Sequence, residues 1–199
     1  MNYLAHLSLA QPNSHSLTGN LLGDFMHGVV LPALPPAIQA GVANHRAVDR
    51  FTDHHAAVIA LKPLFNERYR RFAGIIIDIS FDYFLSKHWL QFMAVPRPQF
   101  LAQAYQGLLA GRGYMPARMQ QVVERMAEQD WLSGYDQLSQ VGFALDRVAE
   151  RIRFSNDFRD AQQEVEQHYV ALEQAFLALY PALQQHIAGL GLEQGITAR

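Results

Sequence analysis

Between Ile75 and Leu85 the sequence reads Ile-Ile-Ile-Asp78-Ile-Ser-Phe-Asp82-Tyr-Phe-Leu, placing two carboxylates one helical turn apart in an otherwise apolar segment. The run does not alternate, and it sits within a longer stretch of helical spacing, so its length selects a buried helix over a strand. A carboxylate in such surroundings is costly unless a cation neutralises it. This segment therefore calls for a helical interior built around compensated charge.

The rest of the chain agrees with that frame. No β-branched, alternating stretch flanked by turns appears elsewhere. Breaks at Pro12-Asn13, Gly28, 32–36, Pro63, 96–98, 111–116, Gly134 and Pro181 divide the chain into about eight helices. They are expected near 14–28, 36–61, 63–71, 73–93, 97–110, 116–131, 135–153 and 157–188. Ser14 or Ser16 is expected to cap the first, Gly28 to end it, and Asn156 or Asp157 to cap the last. With no repeat or flexible linker, residues 1–199 read as a single all-α domain, a helical bundle.

Composition narrows the function. Half of the residues are hydrophobic and 17% are charged, the balance of a packed core rather than disorder. No apolar run approaches the roughly eighteen residues of a membrane span. The apolar start carries no Lys or Arg before it, which makes a poor secretory signal. The absence of cysteine excludes disulfides, thiolate metal sites and a cysteine nucleophile. These features place the protein in the cytoplasm, away from membranes. A net charge of −2 argues against general nucleic-acid binding. Charge is unevenly spread: residues 41–100 carry eight Lys or Arg against five acids. The middle third is thus the face suited to an acidic partner, unless the excess is a fluctuation in a small count.

Acids and histidines recur at one-turn spacing in two further places. Asn20, Asp24 and His27 share a helical face among Leu21, Leu22, Phe25 and Met26. His45, Asp49 and Asp53 line one side of the next helix, with Arg46 and Arg50 beside them. One imidazole and two carboxylates suit Mn²⁺ or Fe²⁺. The same spacings also fit a solvated stripe on the first helix and an ion-pair network on the second. His6 stands alone among apolar residues and reads equally as a hydrogen-bonded core residue, while His88 falls toward the face opposite Asp82. His15, His168 and His186 read as surface residues. The order of acids lacks the Glu-x-x-His pairs of di-iron bundles, and no P-loop, Gly-x-Ser-x-Gly or His-Glu-x-x-His is present. Hydrolysis by a metal-activated water fits better than a nucleophilic side chain.

Taken together, Asn2-Tyr3-Leu4-Ala5-His6, Gly19-Asn20-Leu21-Leu22-Gly23-Asp24-Phe25, His45-Arg46-x-x-Asp49-x-x-Thr52-Asp53, Asp78-x-x-x-Asp82-x-Phe84-Leu85-Ser86-x-His88-Trp89 and the tail from His168 to Pro181 resemble the acyl carrier protein phosphodiesterase family, a divergent branch of the HD-domain phosphohydrolases. The chain departs from the HD pattern in having no His-Asp dipeptide. The resemblance implies an HD-like helical fold and metal-dependent hydrolysis of the phosphodiester that joins 4′-phosphopantetheine to a serine of holo-acyl carrier protein. It implies a divalent metal, Mn²⁺ first, with Mg²⁺, Fe²⁺ or Co²⁺ as alternatives. Asp24, His45, Asp49 and Asp78 are the expected ligands. Asp53 or Asp82 completes the shell or takes the water's proton, Arg46 and Arg50 offset phosphate charge, and His6 protonates the leaving serine oxygen. Lys62, Arg68, Arg70, Arg71, Lys87 and Arg97 form the expected docking surface for the acidic carrier. Two rivals use the same residues: an HD-type hydrolase of a nucleotide or other small phosphoester, and a non-catalytic helical module that binds an acidic partner.

Overall fold

The computed structural model describes residues 1–151 and 161–196, with side chains up to Leu145 in the first segment. Among these residues every regular element is helical, as expected: α1 (Tyr3–Ser8), α2 (Ser14–Leu22), α3 (Pro36–His54), α4 (Ala56–Leu61), α5 (Glu67–Arg70), α6 (Ala73–Lys87), α7 (Trp89–Phe92), α8 (Arg97–Ala110), α9 (Ala117–Glu128), α10 (Leu138–Arg151), α11 (Gln162–Gln167) and α12 (Tyr169–Leu190). Short 3-10 turns, among them Gly23–Phe25 and Ser133–Asp136, fill several connections.

The helices are more numerous and shorter than the eight expected, and three of the extra breaks fall at histidines. His55 is extended (ψ 132°), and its own Nδ1 accepts the Ala57 N–H to start α4. His88 (ψ 21°) and His168 (ψ 17°) both leave helical geometry. The Nε2 of His88 is held by Glu173 at 2.7 Å, and the His168 ring packs edge-on against Phe65. The first expected helix also stops early. Asn13, not Ser14 or Ser16, caps α2 by accepting the Ser16 N–H at 2.9 Å, and the α-helix ends at Leu22. Gly28 lies in a later turn with φ +75°. The expected cap at Asn156 or Asp157 lies outside the described residues. By contrast α12 runs through Pro181 without a break. Of the three histidines read as surface, only His186 is exposed; the His15 ring lies tilted against Tyr114 and His168 is largely covered.

Helix α6 is the axis of the core. Ile76, Ile77, Ile79, Phe81, Phe84 and Leu85 are all buried, so it has almost no solvent face. Phe81 and Phe84 meet Phe176 of α12 at 5.6 and 6.2 Å between ring centroids. Each ring so buried contributes roughly 1.5–3 kcal/mol. Helices α2 and α3 approach closely because glycines face each other: a Cβ on Gly41 would stand 2.9 Å from the Gly19 Cα. That approach brings the end of α2 against the middle of α3.

Candidate metal centre

Four elements converge on one cluster. Helix α1 supplies His6, α3 supplies His45 and Asp49, α6 supplies Asp78, and the Gly23–Phe25 turn supplies Asp24. Asp49 is the hub. One of its oxygens lies 3.1 Å from His6 Nε2 and the other 3.0 Å from His45 Nε2. One ligand atom from each of these three residues lies within 4.8 Å of the other two. The two imidazoles stack with centroids 3.9 Å apart. Asp24 approaches His45 Nε2 at 3.8 Å. Asp78 is joined to the hub through the Met1 α-amino group, which donates to Asp78 at 2.8 Å and reaches Asp49 at 3.5 Å. The histidine side chains are almost fully covered, whereas Asp24, Asp49 and Asp78 are each 36–41% exposed. Solvent therefore reaches the cluster from its carboxylate side.

The orientation of His45 is set by its neighbours. Its Nδ1–H donates to the Asn20 carbonyl at 2.7 Å, which directs Nε2 at the carboxylates. The ring lies against Gly23, where a Cβ would overlap the imidazole, including its Nε2 atom at 2.5 Å. Any side chain at this position displaces the ring. Gly23→Ala is expected to lower kcat by about 10²-fold, the effect of a misplacement near 1 Å, with the helical circular-dichroism signal unchanged. Wild-type turnover in that variant would show that the His45 position is not critical.

Burial is the largest single influence on each of these groups, but partners reverse it at two of them. It pushes His6 down to about 4, against the opposing Asp49 hydrogen bond, so this imidazole is neutral near pH 7. Burial also works against charge on His45, but the Asp49 hydrogen bond and the Asp24 charge prevail and raise its pKa. Asp49 feels burial too, yet the two imidazoles hold it well below the usual carboxylate range. Burial raises Asp24, helped by the charges of Asp49 and Asp78. A neutral imidazole, a second one aimed by a carbonyl, and a permanently ionised carboxylate form a donor set that fits a divalent transition ion. Two nitrogen donors make Mg²⁺, which prefers oxygen, the poorest match among the expected ions.

The remaining sequence expectations fall in different places. His6 is a neutral member of the hub, which disfavours it as the proton donor to a leaving oxygen. Asp82 is fully buried with both oxygens committed, accepting the Leu4 N–H at 2.9 Å and the Ala5 N–H at 3.0 Å. It fastens the start of α1 and has no free oxygen for a metal or a water. Asp53 is exposed one turn beyond Asp49. His27 is exposed as well, because α2 ends before it and the 3-10 turn swings only Asp24 toward His45. Arg46 and Arg50 are exposed and line a separate groove of about 890 Å³ between α3 and the end of α12, with Phe51 and His186. The expected docking cations are dispersed. Arg68 and Arg71 lie over the rings of Tyr69 and Phe72, Lys62 is half-buried and Arg70 is exposed. Lys87 is bound to Glu173 at 2.7 Å. Arg97 donates to the Ser133 carbonyl at 2.8 Å and pairs with Asp136, so it is spent on the fold.

Two members of the cluster were not legible as such. His6 reaches the hub only because α1 is docked on α6, and no periodicity links it to His45 and Asp49. The Met1 amine carries no side-chain signal at all.

Comparison with known proteins adds independent information. A family model described as acyl carrier protein phosphodiesterase matches residues 1–183. An acyl carrier protein phosphodiesterase of Yersinia pestis is 37% identical over 93% of this chain and 96% of its own length. One from Serratia proteamaculans is 37% identical over 93% of this chain and 96% of its own. One from an Enterobacter species is 35% identical over 92% and 95% respectively. No solved structure matches the chain.

Proposed function

Since the chain belongs to the acyl carrier protein phosphodiesterase family, we propose that it hydrolyses holo-acyl carrier protein to the apo-carrier and free 4′-phosphopantetheine, at the cluster centred on Asp49. The observation that carries the reading is the convergence of His6 and His45 on the two oxygens of Asp49, at the solvent-open end of a buried pair of imidazoles.

His6, His45 and Asp49 would hold the ion, with Mn²⁺ favoured and Fe²⁺ or Co²⁺ compatible. A divalent ion held there would supply a lowered water pKa and polarisation of the phosphoryl oxygen. The water oxygen would bond to phosphorus as the bond from phosphorus to the serine oxygen breaks, and the serine oxygen would take its proton from solvent, which reaches the cluster from its carboxylate side. Asp24, its pKa raised and its side chain half-exposed next to His45, takes a water proton. Asp78 remains tied to the Met1 ammonium, which offsets carboxylate repulsion around the hub. Arg46 and Arg50 line a groove without an acid among its walls, on the α3 face next to that of His45 and Asp49, and so receive the acidic body of the carrier.

Intact mass of holo-acyl carrier protein after incubation with this protein and Mn²⁺ tests the reading. Loss of the phosphopantetheine mass, blocked by chelator, is the expected result. An unchanged carrier would sink the proposal; a small phosphoester cleaved in its place would favour the nucleotide-type hydrolase.

A further inference from the structure

A second cavity, of about 470 Å³, opens between the start of α1, the middle of α6, the turn after α9 and the face of α10. No side chain of the cluster lines it, but two of its wall residues adjoin the cluster along the chain. Asn2 follows Met1, whose amine holds Asp78, and Ile79 follows Asp78 itself. Successive Cα atoms lie about 3.8 Å apart, so the cavity begins one residue from the cluster. Its volume falls in the range of small-molecule sites.

The chemistry of the walls is distinctive. Asn2, Gln129 and Gln140 contribute primary amides, Tyr135 a phenol, and Trp131 and Ile79 apolar surface. Among the described residues the walls carry no Lys or Arg, and Asp130 is their one acid. Such walls offer no cation to attract phosphate or an acidic protein surface and suit a neutral ligand that alternates amides with hydrocarbon. They are also held in place. Tyr105 Oη donates to Asp130 at 2.9 Å and accepts the Leu132 N–H at 2.9 Å, fixing the turn that carries Gln129 and Trp131. Asp130 adopts φ +49°, a left-handed conformation that Asp tolerates better than most residues. Asn2 Nδ2 donates to Tyr135 Oη at 2.6 Å, locking the cavity to α1.

We infer that this cavity is the subsite for the pantetheine arm of the substrate, resting on the function proposed above. The arm is neutral beyond its phosphate and carries a gem-dimethyl carbon followed by two amides. With the phosphate at the cluster, the dimethyl end meets Ile79 and the amides meet Gln129, Gln140 and Asn2. The carrier body stays outside, on the cationic α3 face.

The test uses free pantetheine, which lacks the phosphate and so reports the cavity alone. Pantetheine is expected to change the tryptophan fluorescence saturably, through Trp131, and to inhibit carrier hydrolysis competitively. Ala144→Phe, which fills the cavity from α10, and Gln140→Ala, which removes one amide without adding bulk, are each expected to weaken pantetheine binding and raise KM for holo-carrier about tenfold. Both should leave hydrolysis of bis(p-nitrophenyl) phosphate, which has no arm, within about twofold. Carrier hydrolysis with no pantetheine binding, or with KM unchanged in both variants, overturns the subsite and leaves the proposed function standing. Pantetheine binding without carrier hydrolysis overturns the proposed function, and with it the assignment of the cavity to a substrate arm.

Discussion

Asp49→Asn is expected to lower carrier hydrolysis by at least about 10²–10³-fold while the protein stays folded, because it removes a metal ligand and the partner of two imidazoles at once. The carboxylate receives His6 at 3.1 Å and His45 at 3.0 Å, one on each oxygen. An amide of the same shape has one oxygen and one NH₂, so it satisfies one histidine and presents a donor to the other. It also loses the negative charge that raises the pKa of His45 and attracts a cation. Two readouts separate this account from a loss of fold. Metal content after dialysis should fall together with kcat, and the helical circular-dichroism signal should stay at wild-type level, even though loss of a carboxylate held by two imidazoles lowers the thermal midpoint. Asp53→Asn is the matched control, one turn along the same helix and outside the triad. If Asp49→Asn kept wild-type metal content and rate, Asp49 would not be the hub of the centre.

The helical class was readable because the apolar periodicity of 73–93 and 97–110 leaves no other solution, and α8 begins and ends where punctuation places it. The breaks at His55, His88 and His168 were not readable. Each depends on what the ring meets in the folded state, such as Glu173 for His88, and a histidine within an apolar helix pattern carries no local stop signal. The site shows the same division. His45 and Asp49 share one helix, so spacing alone aligned them. His6, Asp24 and the Met1 amine reach Asp49 through the docking of other elements, and only their polarity in apolar surroundings marked the first two. The pair Asp78 and Asp82 is the instructive case. The inference that a carboxylate in the α6 run needs compensation is met in part at each residue, by different agents, while burial still raises both pKa values. An ammonium group compensates Asp78, and two backbone N–H groups compensate Asp82. Sequence indicates that a buried charge must be balanced; which group balances it is decided by tertiary contact.

Asp82 therefore has a role that spacing did not suggest, and its removal is expected to have the largest effect on stability. The N–H groups it accepts belong to the second and third residues of α1, the positions that an N-cap side chain ordinarily satisfies. Asn2, at the N-cap position, makes no such bond; its Nδ2 donates to Tyr135 instead. Asp82 thus caps α1 from a different helix, and through α1 it sets the position of His6. Asp82→Ala strands two buried donors and is expected to lower the unfolding free energy by about 2–4 kcal/mol, even after the relief of one buried carboxylate. The effect should depend on pH with a definite sign. Burial outweighs the Leu4 and Ala5 hydrogen bonds and raises this pKa from 3.8 to about 7. A carboxyl with a raised native pKa adds most stability below its unfolded value, and that contribution is lost as pH rises through the native value. The gap between wild type and Asp82→Ala in urea unfolding should accordingly be wider at about pH 5 than at about pH 8. Equal gaps would mean that the carboxylate is already ionised in the native protein at both, held by its two N–H donors. A gap near zero at both would remove Asp82 as the clamp on α1. Because His6 travels with α1, the variant should also bind Mn²⁺ more weakly at temperatures where it remains folded, linking a residue with no free oxygen for metal to the chemistry at Asp49.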